Sequence, residues 1–218
     1  MRKISAAQIG CFLLLATAIV VLGVLTTTVL FGALPAGDFR GVILVGAGII
    51  LIYLYAFAVY RLFLRVMPLT EGELSEGSRG EFVAQVNILF YLVFFNGLIR
   101  TNFLPVPLMR HIYQALGTRM GENTYSAGAI LDPPLTEFGA NCIVGHNAVL
   151  FSHAIEGRHF ALSRIRVGDN VTIGATAVIM SGVTIGDGAI VSAGSVVLKD
   201  TRIGPGEIWG GVPAKRLK

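Results

Sequence analysis

A six-residue repeat in the second half of the chain constrains the fold more than any other feature. Every sixth residue from position 167 is large and apolar: Val167, Ile173, Ile179, Ile185, Val191, Val197, Ile203 and Trp209. This period matches neither an α-helix, which repeats every 3.6 residues, nor a plain strand, which alternates every two. It predicts a solenoid of short strands and turns, in which stacked units bury a narrow core.

The same spacing extends upstream with one interruption. Phe138, Val144 and Leu150 keep the six-residue period, and Met120 stands eighteen residues before Phe138. Leu150 and Val167 are 17 residues apart, which is not a multiple of six. We therefore expect residues 156–166, or most of them, to leave the solenoid as a loop. Loops on a rigid scaffold often carry function, so we expect a site here.

The first half of the chain is apolar enough for a membrane. Only 14% of the residues are charged, against about 25% in soluble domains, and the mean hydropathy is +0.71. Residues 9–34 and 41–60 carry no charge, and each stretch is long enough as a helix to cross a hydrocarbon core of about 30 Å. Turn residues separate them, which predicts a helical hairpin in the membrane. A cleaved signal peptide would have a shorter apolar region.

Basic residues predict the orientation of this hairpin. Arg2 and Lys3 precede the first span, and Arg61 and Arg65 follow the second, so the positive-inside rule places both ends in the cytoplasm. We interpret a third apolar stretch, residues 82–99, as an interfacial helix, since a third span would carry the solenoid outside.

The predicted domains are a two-span hairpin at 1–66, a linker with the interfacial helix at 67–116, and the solenoid at 117–218. The expected location is the inner (cytoplasmic) membrane, with the solenoid facing the cytoplasm.

Charge and cysteine content narrow the function classes. The net charge is only +4 and no run of basic residues is present, so a nucleic-acid partner is not expected. The two cysteines, Cys11 and Cys142, cannot form a disulfide scaffold and are predicted to be buried thiols of a reducing compartment.

Motifs in the repeat resemble a known family. They are Val-Gly-Asp-Asn-Val-Thr-Ile-Gly-Ala from residue 167, Ser-Gly-Val-Thr-Ile-Gly-Asp-Gly-Ala from 181, and Gly-Gly-Val-Pro-Ala-Lys from 210. This pattern resembles the hexapeptide-repeat acyltransferases, especially the galactoside, maltose and xenobiotic acetyltransferases, over about residues 117–218. The resemblance implies a left-handed parallel β-helix, a homotrimer with active sites between subunits, and acetyl-CoA or another acyl-CoA as donor.

The resemblance also implies roles for individual residues. His153 holds the place of the family's catalytic histidine, just before the predicted loop. Ala175, Ala193 and Lys199 match positions that contact coenzyme A or the thioester carbonyl, and Pro213 and Lys215 match the tail near the nucleotide. Arg202 and Arg216 are candidate phosphate partners by charge and proximity.

Acyl transfer to a hydroxyl needs a base with a pKa near neutrality and N–H groups that stabilise the oxyanion. His153 suits the first role, and the backbone at Ala175 is a candidate for the second. Glu156 is expected either to orient His153, to bind acceptor hydroxyls, or simply to be solvated. We expect direct attack without an acyl-enzyme, because Cys142 is predicted to lie at a core or strand position.

Other polar residues near the interruption have weaker assignments. His146, Asn147 and His159 are candidate contacts to the acceptor, with a turn role or a solvated position as alternatives. Asp132 and Glu137 are expected to serve in turns. No metal is expected in this reading.

The sequence therefore predicts a membrane α-helical hairpin plus an all-β, left-handed β-helix that acylates a hydroxyl, with a lipid-linked sugar or a lipid headgroup as acceptor. Two alternatives stay open. A γ-class-like carbonic anhydrase would need three histidines on zinc, for which His146, His153 and His159 are unsuitably spaced within one chain. A membrane-tethered trimeric scaffold would use the solenoid only for stacking.

Overall fold

The computed structural model describes residues 2–101 and 103–218. The helices are α1 (Ala6–Phe31), α2 (Arg40–Val66), α3 (Arg79–Phe90), α4 (Asn96–Arg100) and α5 (Val106–Leu116); a π-helical stretch, Tyr91–Phe95, joins α3 to α4. The strands are β1 (Gly72–Glu73), β2 (Arg119–Met120), β3 (Tyr125–Ser126), β4 (Ala129–Ile130), β5 (Thr136–Phe138), β6 (Ile143–Val144), β7 (Val149–Leu150), β8 (His153–Glu156), β9 (His159–Leu162), β10 (Ile165–Val167), β11 (Thr172–Ile173), β12 (Val178–Ile179), β13 (Thr184–Ile185), β14 (Ile190–Val191), β15 (Val196–Val197), β16 (Arg202–Ile203), β17 (Ile208–Gly211) and β18 (Ala214–Arg216).

Helices α1 and α2 form an antiparallel pair. Ser5 caps α1: its hydroxyl accepts a hydrogen bond from the Gln8 N–H, and the Gln8 side chain accepts one from the Ser5 N–H. Gly23 lets the two helices approach, because a Cβ there would lie 2.5 Å from the Ile52 side chain. Most of the outer surface of the pair is exposed and apolar.

By length and apolar composition, Ala6–Phe31, Gly37–Val66 and Arg79–Arg100 could each cross a membrane. The third, which we term the connecting helix (Arg79–Arg100), differs from the others in its surroundings. Of its most apolar window 44% is buried inside the protein, against 17% and 6% for the first two. Phe90 packs edge-on against Phe12, and the Tyr60 hydroxyl donates to Asn87 over 2.7 Å.

The second half forms a solenoid with three parallel sheets. Sheet I contains β2, β5, β10, β13 and β16; sheet II contains β3, β6, β11, β14 and β17, with β18 antiparallel at its end; sheet III contains β4, β7, β12 and β15. Val167 pairs with Ile185 and Ile185 with Ile203, so one coil takes eighteen residues. The predicted apolar positions from Val167 to Ile203 are buried, which confirms the six-residue register.

Turns at the corner between sheets I and II repeat one backbone conformation. Residues 123, 141, 170, 188 and 206 all have a positive φ, between 52° and 68°. Asparagine or glycine occupies each of these positions, since other side chains are strained there. Helix α5 covers the first coil, where the buried Tyr113 hydroxyl donates to the Gly128 carbonyl over 2.7 Å.

The interruption in the repeat is a β-hairpin, which corrects the expectation of a loop over residues 156–166. Strands β8 and β9 pair antiparallel from His153 to Leu162, and β10 has already rejoined sheet I. Phe160 and Leu162, two residues apart on β9, both point into a small apolar cluster with Leu74 and Leu135, which holds the segment as strand. Strand β1, from the predicted linker, adds a third strand beside β9.

Candidate active site

The hairpin holds His153 at the point where the chain leaves sheet III. Ala154 is buried and the neighbouring His153 and Ile155 face outward, as the alternation of a strand requires. The His153 side chain is 28% exposed, so it is held by the protein yet accessible. Phe151 lies against the imidazole, with ring centroids 5.6 Å apart.

Asp132 is the partner of this histidine. Its Oδ2 lies 2.7 Å from His153 Nδ1 and also accepts the backbone N–H of Ser152 at 2.7 Å and that of His153 at 3.2 Å. An ionised carboxylate can only accept, so we assign the Nδ1 proton to this bond. The Nε2 atom is then left with its lone pair, as a general base requires.

The surroundings of the pair set its proton affinity. The Asp132 side chain is only 4% exposed, so its charge is weakly screened by water. Burial by itself lowers the pKa of His153, but the hydrogen bond and the negative charge of Asp132 outweigh burial and raise the pKa above its usual value. The pair therefore stabilises an imidazolium once a proton has been accepted.

A cavity of about 490 Å³ opens beside His153, between the solenoid and the connecting helix. His153, Asp132, Leu131 and Ile155 form one wall. The connecting helix supplies the other wall: Asn87, Ile88, Tyr91, Leu92, Asn96 and Arg100. A substrate hydroxyl placed in this space can meet the Nε2 edge of the imidazole, because Nδ1 is engaged by Asp132.

Glu156 does not orient His153, which corrects the first role considered for it. Its carboxylate is exposed and lies 2.7 Å and 2.8 Å from the Lys199 Nζ. The Lys199 ion pair lowers the pKa of Glu156. Glu156 is three residues beyond His153 on a strand, so the two side chains point to opposite faces of the hairpin.

The residues predicted to bind the donor lie at several places on the solenoid. Ala175 and Ala193 are exposed and stack at the corner between sheets II and III, where the Gly194 N–H donates to the Ala175 carbonyl. Lys199 lies at the corner between sheets III and I, and Arg202 is exposed on sheet I. Pro213, Lys215 and Arg216 lie in the terminal β17–β18 hairpin, where Arg216 pairs with Glu207 at 2.9 Å. One chain alone does not gather these residues around His153.

The three candidate acceptor contacts are also separated. His146 and Asn147 are exposed at the corner that bears Ala175, and they line smaller cavities of about 230 and 200 Å³. His159 lies across the hairpin from Glu156, with its Nδ1 3.2 Å from the Glu73 carboxylate. Across residues 2–101 and 103–218, no three His, Cys, Asp or Glu side chains converge as metal ligands. A single chain thus does not assemble the three-histidine site of the carbonic anhydrase alternative.

These features define a hexapeptide-repeat solenoid with a histidine–aspartate pair beside a cavity. The sequence model of a family described as the hexapeptide repeat of succinyl-transferase matches residues 164–199. No curated protein matches the sequence.

Solved structures share the fold. A hexapeptide-repeat acetyltransferase from Vibrio cholerae, in complex with acetyl coenzyme A, has 22% identity and a TM-score of 0.52, and the match covers 72% of this chain and 97% of that chain. A galactoside acetyltransferase in complex with coenzyme A has 19% identity and a TM-score of 0.47, covering 73% and 90%. A soybean serine acetyltransferase in complex with serine has 20% identity and a TM-score of 0.40, covering 93% and 69%. The resemblance to hexapeptide-repeat acetyltransferases is confirmed at the level of the fold.

The β8–β9 hairpin and the pairing of Asp132 with His153 were not predicted, although the sequence contains a signal for each. The alternation of residues 153–162 around Gly157-Arg158 is typical of a hairpin with a two-residue turn. Asp132 stands about one coil before residues 150–153, so the eighteen-residue period places it beside His153. The wall formed by the connecting helix has no such signal, since it depends on how a helix docks onto the solenoid.

Proposed function

We propose that this protein is a membrane-anchored O-acyltransferase that uses acetyl-CoA or another acyl-CoA as donor, with His153 as general base. The single observation that carries the proposal is the His153–Asp132 pair beside a cavity on the hexapeptide-repeat fold. The Vibrio cholerae neighbour with this fold binds acetyl coenzyme A. The pair supplies proton transfer, which contributes roughly 10²- to 10⁴-fold to a rate.

The chain's own residues then account for the proton transfers. His153 Nε2 accepts the proton of the acceptor hydroxyl while the hydroxyl oxygen attacks the thioester carbonyl carbon. Asp132 stabilises the resulting imidazolium through Nδ1. As the carbon–sulfur bond breaks, the imidazolium returns the proton to the thiolate of coenzyme A, so one ester forms and one thiol leaves.

Cysteine chemistry is unfavourable here, which supports direct attack. Cys142 is buried, its Sγ lies 2.9 Å from the Gly168 carbonyl oxygen, and burial raises the pKa of its thiol. A thiol with a raised pKa is a poor nucleophile at neutral pH.

A homotrimer is part of the proposal. His153 and Lys199 lie at one corner of the solenoid, whereas Ala175 and Ala193 lie at another. A neighbouring copy that presents its Ala175 corner to the His153 corner would complete a site that one chain leaves open. The backbone N–H groups near Ala175 are the candidate oxyanion donors. Light scattering of the detergent-purified chain should give a protein mass of three copies.

We also propose that α1 and α2 span the inner membrane, with the solenoid on the cytoplasmic side. An interfacial position of the connecting helix is supported by its contacts, because both of its ends lie against the solenoid side of the molecule. At one end Glu81 pairs with Arg2, which also bonds the Leu74 and Arg158 carbonyls. At the other end Arg100 lines the cavity with His153. The acyl-CoA pool is cytoplasmic, which agrees with this orientation.

A membrane anchor favours an acceptor that is itself in the membrane, such as a lipid-linked sugar or a lipid headgroup. The decisive experiment measures thermal unfolding of the detergent-purified chain with acetyl-CoA and with coenzyme A, followed by release of coenzyme A in the presence of extracted membrane lipids. We expect stabilisation by either ligand and acceptor-dependent release.

The matched variants are His153→Ala and His111→Ala, since His111 is an exposed histidine on α5 outside the site. The first should keep the thermal shift and lose turnover, and the second should keep both. No change in thermal unfolding with either ligand at saturation would refute the acyltransferase proposal. It would favour the zinc carbonic anhydrase or the trimeric scaffold instead.

A further inference from the structure

The connecting helix brings two polar groups to the cavity beside His153, the Tyr91 hydroxyl and the Arg100 guanidinium. The Tyr91 hydroxyl is buried and, among the described residues, has no hydrogen-bond partner. Burial raises the pKa of Tyr91, whereas the Arg100 guanidinium, which approaches the hydroxyl without full hydrogen-bond geometry, lowers it. An unpaired buried hydroxyl costs free energy, so its retention beside a cavity points to a ligand that supplies the missing bond.

Arg100 is a cation without a carboxylate partner in the part of the chain that the structure describes. It lines the cavity beside His153 and also the smaller cavity that Asn147 lines, so it stands between the two. The acidic residue of the larger cavity is Asp132, whose Oδ2 is occupied by three N–H donors. The cavity therefore offers a free positive charge to an anion.

The mouth of the cavity is apolar. Leu92 on the connecting helix is 55% exposed and Ile155 on the hairpin is 45% exposed, and both line the cavity. Val93, the next residue after Leu92, is 61% exposed. These side chains make an apolar path from the cavity to the outer face of the connecting helix. A hydrocarbon chain that left the cavity here would stay out of water.

The π-helical stretch contains both the Tyr91 hydroxyl that faces the cavity and the Leu92 side chain at its mouth. It spans Tyr91–Phe95, so it directly follows α3 and begins at the residue whose hydroxyl is unpaired. π-Helical turns within α-helices occur frequently at functional sites, where they redirect side chains. Here Phe95 turns inward and is 1% exposed, while Leu92 stays at the mouth.

The geometry points to an amphiphilic acceptor with a phosphate or diphosphate group near the acylated hydroxyl. Arg100 and the Tyr91 hydroxyl bind the anionic group, and the hydrocarbon chain leaves between Leu92 and Ile155. This inference rests on the proposed acyltransferase function and specifies the acceptor class for the same site. It makes the connecting helix the element that selects the acceptor.

Equilibrium binding to the full chain in neutral maltoside micelles tests this without turnover. The probes are radiolabelled 1-oleoylglycerol 3-phosphate, 1-oleoylglycerol and glycerol 3-phosphate, which differ only in the phosphate or the chain. We expect the phosphate lipid to bind at least tenfold more tightly than either of the others. Arg100→Gln should weaken its binding roughly tenfold to a hundredfold, since a charge-assisted bond is lost.

Matched variants separate a specific site from general charge. Arg79→Gln removes the same charge from an exposed position at the other end of the connecting helix and should leave binding unchanged. Arg100→Lys should restore part of the affinity, and Tyr91→Phe should weaken phosphate-lipid binding severalfold without changing binding of the neutral lipid.

Each contrary result has one meaning. Equal binding of the two lipids would overturn the anionic group, and equal binding of glycerol 3-phosphate would overturn the hydrocarbon chain. An equal loss in Arg79→Gln would show that net charge, not Arg100, attracts the lipid. Acetyl-CoA stabilisation is measured separately, so failure of the acyltransferase proposal would appear there and not in these three comparisons.

Discussion

The regular coils and the hairpin that interrupts them differ in how their strands pair and pack. From Val167 to Trp209 each coil has eighteen residues, and buried aliphatic residues stack in columns. Between Leu150 and Val167 the chain instead makes the β8–β9 hairpin, whose third strand, β1, comes from the first half of the chain.

In this molecule the repeated coils form the scaffold, whereas the interruption carries the candidate active site. A residue in a regular coil has its surroundings repeated every turn, so its role is packing. His153 has surroundings that occur once: Asp132 from the previous coil and the connecting helix from outside the solenoid. Substitutions in the regular coils should therefore lower the stability of the fold, whereas substitutions at the His153 site should lower the activity.

The largest effect is expected at His153. His153→Ala should lower acceptor-dependent release of coenzyme A roughly 10²- to 10⁴-fold, because the proposed general base is lost. Thermal unfolding should change little, since the ring is partly exposed and the hairpin is held by Phe160 and Leu162. A rate of coenzyme A release above a tenth of wild type in His153→Ala would contradict a catalytic role for the interruption.

The next largest effect should fall on stability within the regular coils. Ile179 is fully buried in β12, and Ile179→Ala should destabilise the fold by about 2–5 kcal/mol by leaving a cavity. Ile143→Ala is the matched control, because Ile143 is 58% exposed in an equally short strand. Thermal unfolding measures both; a similar loss in each variant would contradict the stacked core.

Asp132→Asn tests the His153–Asp132 pair through the pH dependence of the rate. The proposed base accepts a proton only when its imidazole is neutral, so activity should rise with pH through the raised pKa of His153. Without the Asp132 charge, burial alone remains and lowers that pKa, so the acidic limb of the rate profile should move to lower pH. The rate at its plateau should fall roughly tenfold to a hundredfold, because the imidazole loses its orientation. An unmoved acidic limb would exclude this pairing.

The smallest effect is expected at the tip of the hairpin. Glu156→Gln breaks an exposed ion pair with Lys199, and exposed pairs contribute little to stability. Thermal unfolding and the maximal rate should stay near wild type, whereas Lys199→Ala should raise the KM for acetyl-CoA severalfold if Lys199 binds a phosphate. A large rate loss in Glu156→Gln alone would restore a catalytic role to that carboxylate.

Much of the scaffold could be predicted because its determinants are local and repeated. The apolar columns follow from the six-residue spacing, and the positive-φ turns follow from asparagine and glycine at fixed offsets. The hydrogen-bond partner of His153 was predicted less well. Glu156 is near His153 in sequence, but strand alternation turns its side chain away, and Asp132 reaches the ring from 21 residues upstream.

The six-residue spacing was enough to predict the solenoid, its register and the place of its interruption, and the motifs around that place were enough to single out His153. The contact between Asp132 and His153, and the cavity that the connecting helix forms beside them, became visible only in the folded chain. The difference lies in the sequence separation of the contacts. A period specifies how each coil packs on the next coil, eighteen residues away. The cavity depends instead on the docking of a helix from the first half of the chain, through contacts of Phe90, Tyr60 and Asn87.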